Sequence, residues 1–104
     1  MEFRIKDIRL TADSPNAQTD ISEQGSTDVI VYLESGRKFI ASFFTYSNIL
    51  EMKAHHRNDG DYLNGSYFWD RNMVLVENCS LHSIEPVVKD LIDEGNFPIA
   101  FREL

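Results

Sequence analysis

The chain has 104 residues, of which 42% are hydrophobic and 26% are charged, and its formal net charge is −7. These proportions are typical of one globular domain and exclude a disordered chain or a coiled coil. The 10 basic residues are scattered and are outnumbered by 17 acidic residues. We therefore expect no nucleic-acid partner, because binding to a phosphate backbone needs clustered lysine and arginine.

A single cysteine, Cys79, excludes an internal disulfide and leaves a structural zinc site without the cysteine pair it needs. This pattern is typical of a reducing compartment. The apolar stretches are far shorter than the roughly 20 residues that a membrane-spanning helix needs. We predict a soluble, cytoplasmic protein without membrane association.

The first predicted element is a strand over residues 3–10. Its apolar residues alternate at Phe3 and Ile5, and the change of phase after Asp7 indicates a bulge or a bend. The polar stretch that follows, residues 11–27, predicts a long, mobile loop.

Two strands over residues 28–34 and 37–44 are the clearest elements. Alternating apolar residues on both sides of Ser35 and Gly36 predict a β-hairpin, because glycine readily adopts the positive φ that a tight turn needs. The second strand is apolar on both faces, which is typical of a central strand.

A helix is predicted next, with Thr45 or Ser47 as its N-cap and an end near residue 57. A buried strand follows over residues 72–77. A second amphipathic helix is expected to begin after Ser83, because this cap places Pro86 in the first turn, where its missing N–H is not needed.

Residues 97–101 alternate and predict a short extended segment that packs back on the sheet. The whole chain, 1–104, is thus expected to form a single α+β domain with the order β-β-β-α-β-α plus this segment. We predict a mostly antiparallel sheet of about four strands with both helices packed on one face. A crossover that makes the fourth strand parallel remains open, since only the hairpin fixes an antiparallel pair.

Patterns for catalysis and metal binding are incomplete. A stretch that starts at Asp59 and Asp61 resembles a calcium loop, but its glycine and two ligand positions are misplaced. His55 and His56 are adjacent and point about 100° apart on a helix, so they cannot chelate one ion in the way that two histidines four residues apart do. We predict no catalytic residue, no metal and no cofactor.

The acidic charge is concentrated in one half of the chain. Residues 58–104 carry 3 basic and 9 acidic side chains, a net charge of −6. An acidic surface attracts a basic partner, as in small acidic proteins that inhibit basic toxins or nucleases. The leading hypothesis is a non-enzymatic protein-binding module with a basic protein partner. The predicted contact residues are Asp59, Asp61, Trp69, Asp90, Asp93 and Glu94.

Two alternatives remain open. One is a small-molecule or metal-binding domain that uses Tyr46, His55, His56 and Tyr67, because these rings combine apolar area with polar atoms. The other is a homodimer with a structural role, formed through an exposed edge of the hairpin or the apolar tail.

Five segments recur in the same order in a family of small bacterial proteins of unknown function, which the chain resembles over roughly residues 28–101. The segments are LESG (33–36), ASFFTY (41–46), NGSYFW (64–69), MVLVE (73–77) and DLIDEG (90–95). The resemblance implies a bacterial origin and a single domain. It implies no activity, cofactor or catalytic residue.

Overall fold

The computed structural model describes residues 3–11 and 25–104, so most of the loop predicted at 11–27 lies outside the described residues. The strands are β1 (Ile5–Leu10), β2 (Ser26–Leu33), β3 (Lys38–Thr45), β4 (Met73–Val76) and β5 (Arg102–Glu103). The helices are α1 (Tyr46–Asp59), α2 (Asp61–Gly65), α3 (Leu81–Asp93) and α4 (Phe97–Ala100). The α+β class, the sheet and the predicted order of the long elements are confirmed.

The strands form one sheet in the order β1-β2-β3-β4, with β5 paired to β3 as well. β1 and β3 are both antiparallel to β2, whereas β4 is parallel to β3. The crossover that the sequence left open is therefore the connection between β3 and β4. β2 occupies one edge of β3, and the other edge is divided between β4 at residues 42–45 and β5 at residues 39–40. The central position predicted for β3 is confirmed.

The hairpin between β2 and β3 and the irregularity in β1 both follow the sequence. Gly36 has φ +93°, and the N–H of Leu33 donates to the carbonyl of Arg37 at 2.9 Å. In β1 the register with β2 shifts between Ile5 and Asp7, which is the predicted bulge. β2 begins at Ser26, two residues earlier than expected.

The core lies on one face of the sheet, beneath α3 and α4. Alternate residues of β2 and β3 point into it, and Ile84 and Val88 of α3 cover them with no exposed surface of their own. The buried core residues are Ile8, Leu10, Val29, Val31, Leu33, Phe39, Ala41, Phe43, Val76, Cys79, Ile84, Val88, Phe97 and Phe101.

The prediction of an extended segment at residues 97–101 is wrong. It forms a single helical turn, and Phe97 and Phe101 are stacked with ring centroids 4.7 Å apart and fully buried. A short apolar run fits both a strand, with a period of two residues, and a helical turn, with a period of nearly four residues. Pro98 fits the first turn of a helix, because a backbone N–H, which proline lacks, is not needed there. The edge pairing is made instead by the two residues of β5.

The predicted start of α3 after Ser83 is also wrong. Its N-cap is Ser80, whose hydroxyl oxygen accepts the N–H of Ser83 at 3.2 Å. Pro86 is therefore the sixth residue of the helix rather than part of the first turn. Ile84 and Val88, on either side of Pro86, are fully buried in the core, and this burial offsets the cost of an internal proline.

α1 begins at the predicted Thr45 cap, whose side-chain oxygen accepts the N–H of Asn48 at 3.0 Å, and it ends at the left-handed Gly60. None of its residues is buried. Its main contacts are with α2 and with β3, whereas α3 contacts α4 and β1. α3 therefore covers the core, whereas α1 lies against α2 and β3 without a buried residue of its own.

Candidate interaction surface

The face of the sheet opposite α3 is formed by the alternate residues that do not enter the core. Cross-strand pairing aligns Asp28 with Ser42 and places both Ile30 and Arg102 opposite Ile40. Ile30 and Ile40 are half-buried, while Asp28 and Arg102 are exposed. In the described part of the chain, this face therefore presents an apolar strip with charged residues beside it.

A depression of about 340 Å³ lies on this face, between the sheet and the segment 69–72. Trp69 forms part of its wall and is 64% exposed. A second depression of about 370 Å³ shares Asp28, Ser42 and Asp70 with the first. We call the first depression and its lining the Trp69 surface; its side chains include Asp28, Ile40, Ser42, Trp69, Asp70, Arg71 and Arg102.

Backbone hydrogen bonds fix the segment that carries Trp69. The carbonyl of Asn72 accepts the N–H of Ser42 at 2.9 Å, which continues the β3–β4 ladder. Asn72 has φ +50°, a left-handed conformation that asparagine tolerates better than most residues. The Asp70 carboxylate accepts the N–H of Arg71 at 2.7 Å. The segment thus turns back onto β3 and presents Trp69 at the sheet.

The Trp69 surface contains polar groups of several kinds. The hydroxyl of Ser42 donates to the Asp28 carboxylate at 2.9 Å and orients it beside the depression. Asp70 also lines the depression, and Arg71 and Arg102 supply guanidinium groups. The surface can therefore offer hydrogen-bond acceptors, donors and an aromatic face to one ligand.

The predicted acidic contact residues lie in separate places. Asp90, Asp93 and Glu94 are exposed at the end of α3, on the side of the sheet opposite Trp69. Asp59 and Asp61 are exposed on either side of Gly60, where α1 meets α2. The six predicted residues therefore do not form one contact surface, because α3 covers the core face and Trp69 is on the other face.

The residues of the alternative ligand site are also spread out. Tyr46 is 50% exposed at the start of α1, and His56 is ten residues further on, roughly 15 Å along the helix axis. Tyr46 lines a different depression, beside Leu75 and Val87. His55 is exposed.

His56 and Tyr67 instead belong to an aromatic cluster. The His56 ring lies 4.5 Å from the Tyr62 ring and is stacked on Phe68 at 5.9 Å. Phe68 packs on Phe44 of β3 at 5.6 Å, and Tyr67 meets Tyr62 edge to face at 5.4 Å. The cluster attaches the segment that contains α2 to α1 and β3, so its rings are used for packing.

Cys79 is buried, and its burial raises the pKa of the thiol. The thiol is therefore protonated near neutral pH, whereas the thiolate is the form that attacks electrophiles and binds metals. Within residues 3–11 and 25–104, no group of three or more His, Cys, Asp or Glu side chains is placed to hold a metal ion. No helix of the same residues is long and apolar enough to cross a membrane.

Comparison with protein-family models, curated proteins and solved structures gave no match. The resemblance to a family of small bacterial proteins of unknown function therefore stays a prediction.

Sequence reasoning missed most of the Trp69 surface. It singled out Trp69 but not Asp28, Ser42 or Arg102, which are distant in the chain and meet only through the strand register. One signal was present in the sequence: the two-sided apolar pattern of β3 implied a second sheet face that needed a lining of its own. The register that brings Arg102 beside Ile40 has no such signal, because β5 contains two residues only.

Proposed function

We propose that the chain is a non-enzymatic, cytoplasmic protein-binding module whose contact surface is the Trp69 surface. The observation that carries the proposal is the 64% exposure of Trp69 beside a depression with a half-buried apolar floor. Tryptophan is among the residues that contribute most to protein interfaces, because burying its large ring removes much apolar area from water.

The net charge of −7 supports a basic partner. The acidic end of α3 is on the other side of the sheet from Trp69, so we assign it no direct contact with the partner. It contributes instead to the negative field of the whole molecule, which attracts a cationic protein over distances of several ångströms and raises the rate of encounter. An inhibitor or immunity protein for a basic toxin or nuclease would use such a field.

Affinity capture tests the proposal. The tagged protein and the variant Trp69→Ala are incubated with a lysate of the host cell at low and at high salt, and retained proteins are identified by mass spectrometry. We expect one basic protein on the unaltered chain, less of it at high salt and none on Trp69→Ala. Leu50→Ala is the matched control, because Leu50 is 69% exposed on α1 and does not line the depression, so this variant should retain the partner.

Equal retention by Trp69→Ala and the unaltered chain would contradict the proposal. Recovery of the chain alone, with no second protein, would also contradict it and would favour the homodimer that the sequence left open.

A further inference from the structure

Charges of both signs line the Trp69 surface. Asp28 and Asp70 supply carboxylates, and Arg71 and Arg102 supply guanidinium groups. Among residues 3–11 and 25–104, none of these four side chains is joined to another in an ion pair. The depression can therefore offer both charges to an incoming group that carries the opposite pair.

The strand register fixes the separation of the backbones that carry the two charges. Asp28 is on β2 and Arg102 is on β5, with β3 between them. Neighbouring strands are about 4.8 Å apart, and Arg102 is opposite Ile40, two residues along β3 from the Ser42 that faces Asp28. The backbones that carry Asp28 and Arg102 are therefore roughly 12 Å apart. A ligand that satisfies both must carry its cation and its anion at opposite ends of a chain of several atoms.

The floor between the charges is apolar. Ile40 of β3 is half-buried beneath the depression, and Trp69 stands beside it. Lysine and arginine have an aliphatic stem that packs on apolar surface and a charged tip that remains hydrated. Their cations also bind the face of an aromatic ring, and the indole of tryptophan attracts a cation more strongly than the rings of tyrosine and phenylalanine do.

We propose that the Trp69 surface binds the carboxy-terminal residue of the partner polypeptide and that this residue is a lysine or an arginine. Its α-carboxylate pairs with Arg102 and Arg71, its stem packs on Ile40 and Trp69, and its cation pairs with the carboxylates of Asp28 and Asp70. This inference rests on the proposed function and names the group of the partner that the surface recognises. An internal lysine would leave both arginines without a partner, because it has no free carboxylate.

The fluorescence of Trp69 measures the binding directly, because it is the single tryptophan of the chain. The probes are acetyl-Ala-Ala-Ala-Arg with a free carboxylate, the same peptide with an amidated terminus, acetyl-Ala-Ala-Ala-Ala with a free carboxylate, and L-arginine. At low salt we expect the first peptide to bind about tenfold more tightly than the second and the third, since each of these lacks one charge.

Two variants separate the two ends of the site. Arg102→Gln should remove the preference for a free carboxylate and keep the preference for arginine over alanine. Asp28→Asn should weaken the preference for arginine and keep the preference for a carboxylate; its amide oxygen can still accept the Ser42 hydroxyl. Arg57→Gln and Glu85→Gln, which alter exposed charges on α1 and α3, should leave all affinities unchanged. Far-UV circular dichroism checks that each variant is folded.

Equal affinity for the free and amidated arginine peptides would overturn the inference, as would the absence of any response of Trp69. Equal affinity for L-arginine and the peptide acid would also overturn it, because the ligand would then be a free amino acid. If Trp69→Ala loses the captured partner while no peptide binds, this inference fails and the proposed function stands.

Discussion

Tyr62, Leu63 and Asn64 all have a left-handed backbone, with φ between 51° and 58°. This conformation costs an L-residue roughly 1–2 kcal/mol, and three consecutive residues seldom adopt it. Tyr62 offsets the cost through its ring contacts in the aromatic cluster. Leu63 is 73% exposed, so its own side chain contributes little packing in return.

Leu63→Gly should therefore raise the free energy of unfolding, by about 0.5–1 kcal/mol, because glycine adopts this conformation without strain. The control is Leu50→Gly, an equally exposed leucine in the right-handed α1, which should lower the free energy of unfolding by about 1 kcal/mol. Urea denaturation followed by far-UV circular dichroism measures both. A loss of stability in Leu63→Gly similar to that of the control would show that no strain is stored there.

At the scale of the elements, α3 contains a proline that its sequence pattern had placed in the first turn. In the observed helix, the carbonyl of His82 would be the acceptor for an N–H at position 86, and proline has none. Pro86→Ala should restore this hydrogen bond and remove the contact between the proline ring and the preceding turn.

We expect Pro86→Ala to raise the free energy of unfolding by about 2 kcal/mol, somewhat less than the full helix penalty of proline, because the unfolded chain also becomes more flexible. Glu85→Ala is the control at an exposed neighbouring position, and it should change stability by less than about 0.5 kcal/mol. Thermal and urea denaturation provide the measurement. A Pro86→Ala protein no more stable than the control would contradict the prediction.

The shortest strand, β5, is attached to β3 by an ion pair as well as by its backbone. The guanidinium of Arg37 donates to both carboxylate oxygens of Glu103, at 3.0 and 2.9 Å. This hydrogen bonding lowers the pKa of Glu103 below its ordinary value of 4.5. A carboxylate with a lowered pKa in the folded state contributes stability above its ordinary pKa, and this contribution disappears as the pH falls through the lowered value.

Glu103→Gln should therefore be less stable than the unaltered chain at pH 7, and the difference should diminish as the pH falls below about 4.5. The difference should also be small and sensitive to salt, because both side chains are partly exposed. Denaturation of both proteins between pH 3 and pH 7 measures it. A constant difference over this range would mean that Glu103 acts through packing rather than through charge.

The elements that the sequence predicted correctly are those whose signals are local. Gly36 marks the hairpin, Thr45 caps α1, and the phase change after Asp7 marks the bulge, because each acts within a few residues. The parallel pairing of β4 and the position of β5 depend on distant contacts and could not be predicted in this way. For the same reason, the sequence indicated Trp69 as a candidate but not its neighbours Asp28 and Arg102. It also did not predict that Trp69 and Asp90 lie far apart.

At the scale of the whole molecule, the Trp69 surface and the acidic end of α3 lie on opposite sides of the sheet. Under the proposed function, the first would provide contact and the second would contribute long-range attraction. The two contributions therefore affect different rate constants of the same complex.

Reversing Asp90, Asp93 and Glu94 to lysine changes the net charge by two units per residue, from −7 to −1. The association rate with the captured partner should fall by about tenfold at low salt, and the difference should largely disappear near physiological ionic strength or above. The dissociation rate should not change, whereas Trp69→Ala should raise it. Stopped-flow or surface-binding kinetics at several salt concentrations measure both rates. An unchanged association rate at low salt would contradict steering by α3.

β4 and β5 share one edge of β3, and this arrangement affects the order in which the chain folds. β2 and β3 are joined by a tight turn, so their contact closes at a small cost in chain entropy, while β4 and β5 must return from much later in the chain. The hairpin should thus form before the transition state, and α4 and β5 should join after it. Val31→Ala should slow folding, whereas Phe101→Ala, at the end of the chain that completes the core, should mainly speed unfolding.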